Sequence, residues 1–340
     1  MRIVLVRLSA LGDIVHTWPL AEAIRLARPD DHLTWVVEKP LADLVEGHPA
    51  IDAVITVSTK RWRKQPFSAQ TRAEIAALKS RFSELQPDLT IDAQGTLKSA
   101  LVTKWTAADR RVGLARPWRR ELVAGFASTE TIPGSLSHRH VVATNLELAR
   151  AVDVEPPPEP TPPDGRWLIE KTTGMVTESP RSGPYAIVLP GAGQSRKILP
   201  TTTLAETAKH LVGIDLEVIV AWGPGERDRA LEIVELGGAG VHLAPPTDIA
   251  ELAVLLGSAA VAVGGDTGPV HLAASLRVPT VGVHLTTDPA RNGPLGDRTA
   301  AISGASPGRG PGGSATTGPS RGVSASEICA AIDGLLRSQE

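Results

Sequence analysis

A single cysteine, Cys329, occurs among 340 residues. One thiol excludes a disulfide framework and any zinc site built from several thiolates. Cys329 itself reads as a helix packing residue. Long apolar runs are also missing. The longest uncharged one, Leu252 to Gly265, falls short of the roughly 20 residues that a membrane-spanning helix needs. The N-terminus, Met1 to Val15, is interrupted by Arg2, Arg7 and Asp13, so it lacks the unbroken apolar core and small-residue cleavage site of a secretory signal. A soluble, cytoplasmic protein is expected. The turn after the first apolar run has no Gly-x-Gly-x-x-Gly, which argues against a dinucleotide-dependent dehydrogenase.

What is present is an uneven distribution of charge. Residues 1–150 carry 21 Lys/Arg against 16 Asp/Glu, and the remainder carries 14 against 21, so the halves stand at +5 and −7. A basic half on a nearly neutral chain points to an anionic ligand or surface on that side.

The chain is long enough for two domains, each with its own core. In the first half, apolar runs at Ile3–Val6, Leu33–Val37, Ala53–Val57 and Asp88–Ile91 alternate with helical spacing over Asp13–Ala27 and Thr71–Leu85, where Ile75, Leu78, Phe82 and Leu85 share a face. This rhythm predicts a parallel sheet covered on both faces. Glu155 to Asp164 is dominated by proline, which excludes helix and inner strand and predicts a stiff linker over 155–165. The rhythm restarts with strands at Tyr185–Leu189, Leu216–Ala221 and Ala259–Val263. Helices follow at about Thr202–Leu211, Glu226–Leu236, Ile249–Leu256 and Pro269–Leu276. The expected fold is α/β, with one Rossmann-like domain over 1–154, a second over 166–322 and a cleft between them. Ser303 to Gly322 is rich in Gly, Ser, Pro and Thr and predicts an irregular loop. A final helix lies within 323–340, with Ser324 and Glu327 spaced as a capping box.

Four segments carry candidate chemistry. Arg7-Leu-Ser-Ala-Leu-Gly-Asp13-Ile-Val-His16 sits where the first strand gives way to a helix. Gly12 allows a close approach, and Asp13 is either a helix cap or a carboxylate facing a ligand. Val263-Gly-Gly-Asp266-Thr267-Gly268-Pro-Val-His271 is a glycine turn opening a helix with Pro269 near its first position. Its backbone donors suit a diphosphate, or Asp266 merely caps the helix. Leu189-Pro-Gly-Ala-Gly193-Gln-Ser-Arg196-Lys197 is a second glycine loop with two adjacent cations. Finally, Lys60-Arg61-Trp62-Arg63-Lys64 and Arg116-Pro-Trp118-Arg-Arg120 place arginines beside tryptophans, which suits phosphate or carboxylate and also permits base stacking.

Taken in order, these segments resemble glycosyltransferase family 9, the bacterial lipopolysaccharide heptosyltransferases, and among them the enzymes that add the first inner-core heptose. The resemblance rests on Ser9-Ala-Leu-Gly-Asp13-Ile-Val-His16-Thr17, Arg61-Trp-Arg-Lys64 with Phe67-Ser-Ala69, Ile91-Asp-Ala-Gln94-Gly95 with Lys98-Ser-Ala100, Asp266-Thr-Gly-Pro-Val-His271 and Thr287-Asp-Pro-Ala-Arg-Asn-Gly-Pro294. It runs from Met1 to about Asp297 and fails in the Gly/Pro-rich tail.

The resemblance implies a GT-B fold, an inverting transfer and no cofactor or required metal, with ADP-heptose as co-substrate. No Asp-x-Asp triplet occurs to hold a divalent ion, in keeping with this. It implies Asp13 as catalytic base and Lys197 as the donor-phosphate cation. Gly193, Arg196, Glu226, Asp266, Thr267, Gly268 and His271 then contact the donor. Arg61, Arg63, Lys64, Gln94 and Arg120 contact the acceptor, Kdo–lipid A at the inner-membrane surface, where the enzyme makes peripheral contact with the cytoplasmic face. Two departures are visible. The family's Lys-x-Trp-Pro is Lys197-Ile-Leu-Pro200, which leaves the register of Arg196 against Lys197 open. His284-Leu285 also stands where an aromatic or small residue is usual.

The rivals are a family-9 enzyme with another acceptor, such as the second heptose position or a protein, and a non-catalytic nucleotide or nucleic-acid binder. The −7 half opposes wrapping by a polyanion, so no nucleic-acid partner is expected.

Overall fold

A computed structural model describes residues 1–136, 140–172, 183–304 and 322–338. The chain divides into two compact units, Met1–Thr161 and Pro162–Glu340.

Unit 1 holds strands β1 (Arg2–Val6), β2 (His32–Glu38), β3 (Ala53–Val57), β4 (Leu89–Asp92), β5 (Arg110–Leu114) and β6 (Glu130–Ile132). Its helices are α1 (Leu11–Val15), α2 (Trp18–Ala27), α3 (Thr59–Lys64), α4 (Ala69–Leu85), α5 (Leu97–Trp105) and α6 (Val141–Leu146). The sheet order is β3-β2-β1-β4-β5-β6 and every pairing is parallel. Burial on both faces is what makes β1, β2 and β4 continuous apolar runs rather than alternating ones. The face predicted for α4 packs as expected. Leu78 and Phe82 join Val4, Val6, Val36, Ile55, Trp62 and Val102 in one core cluster, with Ile75 and Leu85 at its margin.

Unit 2 repeats the plan. Its strands are β7 (Tyr185–Leu189), β8 (Glu217–Val220), β9 (Val241–Leu243), β10 (Val261–Gly265), β11 (Thr280–His284) and β12 (Thr299–Ser303). Its helices are α7 (Arg166–Thr172), α8 (Thr201–Gly213), α9 (Arg227–Gly237), α10 (Ile249–Gly257), α11 (Gly268–Ser275), α12 (Pro289–Asn292) and α13 (Ala325–Arg337). The order β12-β11-β10-β7-β8-β9 is the same winding as in unit 1, again parallel throughout. Ser324 caps α13 by accepting from the Glu327 N–H, while the Glu327 carboxylate accepts from the Ser324 N–H. Ile328 and Ile332 then pack into the unit 2 core with Val281, Val283 and Leu204.

Two expectations are corrected. The helix predicted over Asp13–Ala27 is two helices, because Pro19 can begin a helix but not continue one. The break at His16–Thr17 is held by Asn145, whose Nδ2 donates to the His16 carbonyl at 3.0 Å and lies 3.2 Å from Thr17 Oγ1. Asp13 is also not the helix cap. It is the third residue of α1, behind Ala10. Strands β5, β6, β9, β11 and β12 have no counterpart in the sequence reading, being short or interrupted by charge. The loop expected over Ser303–Gly322 lies, for 305–321, outside the described residues, and Ser303 itself ends β12.

Gly264 tests how tightly the central strands of unit 2 are packed. A Cβ there would stand 2.7 Å from Leu189 Cβ and 2.9 Å from its carbonyl oxygen. Gly264→Ala is expected to lower unfolding stability by roughly 1–3 kcal/mol, as overpacking does in tight interiors. Urea denaturation checks this, and an unchanged midpoint contradicts it.

Candidate active site

Parallel sheets of this winding leave an opening at the carboxyl ends of the two central strands, where successive helices leave for opposite faces. In unit 1 those strands are β1 and β4, paired Val6 with Asp92. The residues that follow them build the first charged centre. Arg7 is buried, and its guanidinium donates to the Ala93 carbonyl and lies 2.9 Å from Asp13 Oδ1. Asp13 Oδ2 accepts from the Ala10 N–H at 3.2 Å and lies 3.4 Å from Arg120 Nη1. Asp13 is thus held from inside by a buried cation and from outside by one that is 63% exposed.

Gln94 clamps the same turn. Its Oε1 accepts from the N–H groups of Leu8 at 2.8 Å and Ser9 at 3.3 Å, and its Nε2 donates to Thr96 Oγ1 at 3.0 Å. Beneath it, Asp92 accepts from the Gln94 and Gly95 N–H groups and from the Ser99 hydroxyl. Burial pushes the Asp92 carboxyl above its ordinary range, against those hydrogen bonds and the nearby Arg7 charge. Lys98 donates to Ser9 Oγ, and burial among Arg120 and Arg7 pulls its ammonium below its usual range despite Glu38 and Asp13.

The other acceptor-side candidates divide. Arg61 is engaged with Glu74, which also accepts from the Trp62 indole at 2.8 Å. That indole bond, outweighing burial and joined by Arg61, holds Glu74 below the usual carboxylate range. Trp62 is a core residue, 6.2 Å from the Trp105 ring, so it offers no face for base stacking. Trp118 is half-buried over Gly134, whose added Cβ would strike its ring. Arg63 and Lys64 are exposed and make no ion pair among the described residues.

In unit 2 the central strands are β7 and β10, paired Leu189 with Gly264. Asp266 follows β10 and turns its carboxylate, 8% exposed, into a cluster. Lys197 Nζ lies 2.6 Å from Oδ2, and the Thr287 hydroxyl donates to the same oxygen at 2.8 Å. His271 Nε2 stands 3.6 Å from Oδ1. Burial alone would raise the Asp266 carboxyl. Hydrogen bonds from His271 and Lys197 and the Lys197 charge outweigh it and hold the group far below the usual range. Asp266 is therefore a cation holder and not the cap of α11. The cap position is Thr267, which makes no side-chain cap bond; Pro269 carries no N–H, and the Val270 N–H donates to the Thr267 carbonyl at 3.2 Å.

Thr287 fixes a tautomer. Its one proton goes to Asp266, so its oxygen must accept from His284 Nδ1, 3.0 Å away. Neutral His284 then carries its proton on Nδ1. Its Nε2 is buried and has no hydrogen-bond partner among the described residues. Burial accordingly lowers His284 to about 4.

Lys197, not Arg196, joins this cluster. Arg196 is exposed and donates to Gln194 Oε1 at 2.8 Å. Glu226 accepts from the Gly223 N–H at 2.8 Å and lies over Gly191, where any Cβ would collide with its carboxylate. At Gly193 an added Cβ meets nothing within 4 Å. Gly191 is thus the glycine that the Glu226 carboxylate covers, a difference the sequence did not show because both glycines fit the same loop pattern. Arg7 was also missed as a site residue. Its signal was a cation bounding an otherwise apolar strand.

Comparison with known proteins agrees with this fold. Residues 75–311 match glycosyltransferase family 9 (heptosyltransferase). The chain is 33% identical over 297 residues to lipopolysaccharide heptosyltransferase 1 of Pseudomonas aeruginosa, covering 87% of this chain and 82% of that one. It is 30% identical over 299 residues to lipopolysaccharide heptosyltransferase 1 of Escherichia coli, covering 87% and 91%. The structure of E. coli heptosyltransferase WaaC with ADP superposes with a TM-score of 0.82 at 28% identity, over 98% of this chain and 100% of that one. The same enzyme with ADP-2-deoxy-2-fluoro heptose gives 0.78 at 27% identity over 100% of each. Paired parallel sheets with charged centres at their switch points, on this likeness, define the class as a glycosyltransferase of GT-B-like fold. The chain belongs to glycosyltransferase family 9, the heptosyltransferases.

The buried cluster of unit 2 makes stability depend on pH in two separate windows. His284 takes up a proton at about 6.5 when unfolded but only at about 4 when folded. The unfolded chain therefore binds more protons in between, and stability falls as pH drops from about 6.5 to about 4. His284→Gln should flatten that slope by up to about 1.4 kcal/mol per pH unit. Asp266 acts lower down. Its depressed folded value gives stability that is full above the unfolded value of about 3.9 and is lost as pH falls below it. Asp266→Asn should cost about 2–3 kcal/mol at neutral pH, with the gap to wild type narrowing under about pH 4. Urea unfolding over a pH series measures both, and parallel curves for wild type and variants contradict them.

Proposed function

We propose that this enzyme moves L-glycero-D-manno-heptose from ADP-heptose to the Kdo sugar of Kdo–lipid A, with inversion and without a metal, in lipopolysaccharide inner-core assembly. The carrying observation is the Asp13 carboxylate, fixed by Arg7 and Arg120 beyond β1, in a chain similar over most of its length to lipopolysaccharide heptosyltransferase 1. The WaaC structures with ADP and with an ADP-heptose analogue support an ADP-sugar donor. Among the described residues no helix is long and apolar enough to cross a membrane. A cytoplasmic enzyme in peripheral contact with the inner membrane is part of this proposal.

In the reaction the acceptor hydroxyl gives its proton to Asp13 as its oxygen attacks the anomeric carbon. The bond to ADP breaks on the opposite face, and its electron pair stays on the diphosphate. A positioned base contributes roughly 10²–10⁴-fold. Lys197 and the positive end of the α11 dipole stabilise the leaving diphosphate, which is the role a metal would otherwise fill. Asp266 and Thr287 orient that lysine. Arg63, Lys64 and Arg120 hold Kdo carboxylates or lipid A phosphates, while Arg61 braces α3 through Glu74.

Mass spectrometry of the product from ADP-heptose and Kdo–lipid A tests the reading directly. Asp13→Asn should lower kcat by roughly 10²-fold or more with donor binding nearly unchanged. Near-normal turnover would return Asp13 to a helix-turn role. Activity should survive EDTA, and a loss restored by magnesium would contradict metal independence. Lys64→Ala should raise acceptor KM about tenfold or more, because a charged contact to a desolvated anion is worth roughly 1.5–3 kcal/mol. Arg120→Ala should in addition lower kcat, because Arg120 also touches Asp13. A rise confined to the donor KM would move Lys64 away from the acceptor.

A further inference from the structure

Large apolar side chains scattered singly on a surface need no explanation, but a group of them on adjoining elements does. Unit 1 has such a group. The 3-10 segment Leu122–Ala127 exposes Leu122 at 59%, Val123 at 56% and Phe126 at 50%. Helix α5, which packs against it, exposes Leu97 and Leu101. The two elements are zipped by the small buried side chains of Ala100, Ala124 and Ala127, so the large ones are left outside the seam. The patch is a built feature. Glu121 accepts from the Leu97 N–H at 2.8 Å and donates its own N–H to the Gly95 carbonyl at 2.9 Å. Arg119 donates to the Leu114 and Leu122 carbonyls and presses its guanidinium against Gly125, where any Cβ would collide with it. The backbone under the patch is pinned while its apolar side chains face solvent.

The charge around the patch has one dominant sign. On α5, Lys104 continues the Leu97–Leu101 stripe at helical spacing and is exposed, with no ion pair among the described residues. Arg116 is exposed in the same way, and Arg120, 63% exposed, leads directly into Leu122. The acid in this stretch, Glu121, is committed to the Leu97 N–H. Apolar side chains flanked by exposed cations, of which Lys104 and Arg116 make no ion pair among the described residues, fit the boundary between anionic headgroups and acyl chains.

We infer that Leu97, Leu101, Leu122, Val123 and Phe126, with Lys104 and Arg116, form a docking surface for an anionic phospholipid bilayer. Through Arg120 this surface is continuous with the Asp13 centre. Docking therefore brings the acceptor half of the enzyme to the plane where a lipid-linked acceptor lies. The inference rests on the lipid-acceptor reading for its purpose, but binding to lipid is measured without any acceptor.

The test is co-sedimentation of the full chain with phosphatidylglycerol-rich vesicles and with pure phosphatidylcholine vesicles, over a salt series. Wild type should bind the anionic vesicles, bind the neutral ones far less, and release as salt rises. Leu122→Ser with Phe126→Ser should lower the partition coefficient about tenfold or more. Lys104→Glu should lower it by about fivefold or more. Both variants should keep wild-type melting temperature and wild-type turnover of a de-acylated Kdo acceptor. No vesicle binding by wild type, or equal binding by wild type and both variants, overturns the inference. So does a self-association of wild type that the double variant abolishes without lipid, which would make the patch an interface between copies. Lost turnover of the de-acylated acceptor would instead place the patch in the acceptor site. Vesicle binding without turnover of Kdo–lipid A would sink the functional reading and leave the docking surface standing.

Discussion

The winding of the two sheets is the constraint on which the rest depends. Each unit runs outward from its first strand in one direction and then returns to start again beside it. Right-handed crossovers then send the helices after β1 and β4, and after β7 and β10, to opposite faces. Backbone at those strand ends cannot be covered by its own helices, so polar groups placed there are not buried by default. Both charged centres occupy these positions. Arg7 and Asp13 follow β1, Gln94 follows β4, Lys197 lies in the loop after β7, and Asp266 follows β10.

On the proposed mechanism the two centres use an aspartate–cation pair in opposite senses. In unit 1 the proposed working group is the anion, held by one guanidinium from a buried side and another from an exposed side. In unit 2 the proposed working group is the cation, and a buried carboxylate with a hydroxyl behind it holds the ammonium in place. Lysine suits that second position because a compact charge on a flexible stem can turn between Asp266 and an incoming phosphate without losing its partner. The Asp266 cluster is costly to bury in isolation and stable only when every lone pair is answered. Thr287 and His271 supply that answer, which is why residues far apart in sequence must arrive together.

How much of this was legible in the sequence followed from how local each signal was. The strands β1, β2, β7 and β10 were visible because burial on both faces makes them apolar runs, and the edge strand β3 because its short run is β-branched. The β5 strand was not, since Arg110 and Arg111 begin it and find partners only after folding, in Glu130 and in the Ala108 and Ala127 carbonyls. The glycine turns and the position of Asp13 were read correctly as strand-to-helix junctions. The break between α1 and α2 was missed because a helical period continues through Pro19 on paper. Asp266 was taken for a loop contact or a cap, because its true partners Lys197 and Thr287 come from other strand ends. A pairing between residues 69 positions apart leaves no periodic trace.

The net charge of the first half can now be located. Most of its arginines are neutralised in pairs, such as Arg25 with Asp52, Arg28 with Asp153, Arg61 with Glu74, Arg110 with Glu130 and Arg150 with Glu147. Cations without an ion pair among the described residues include Arg63 and Lys64 beyond β3, Lys104 and Arg116 around α5, and also Lys39, Lys60, Arg72, Lys79 and Arg81. Scattered cations would be screened within about 8–10 Å by physiological salt and would steer little.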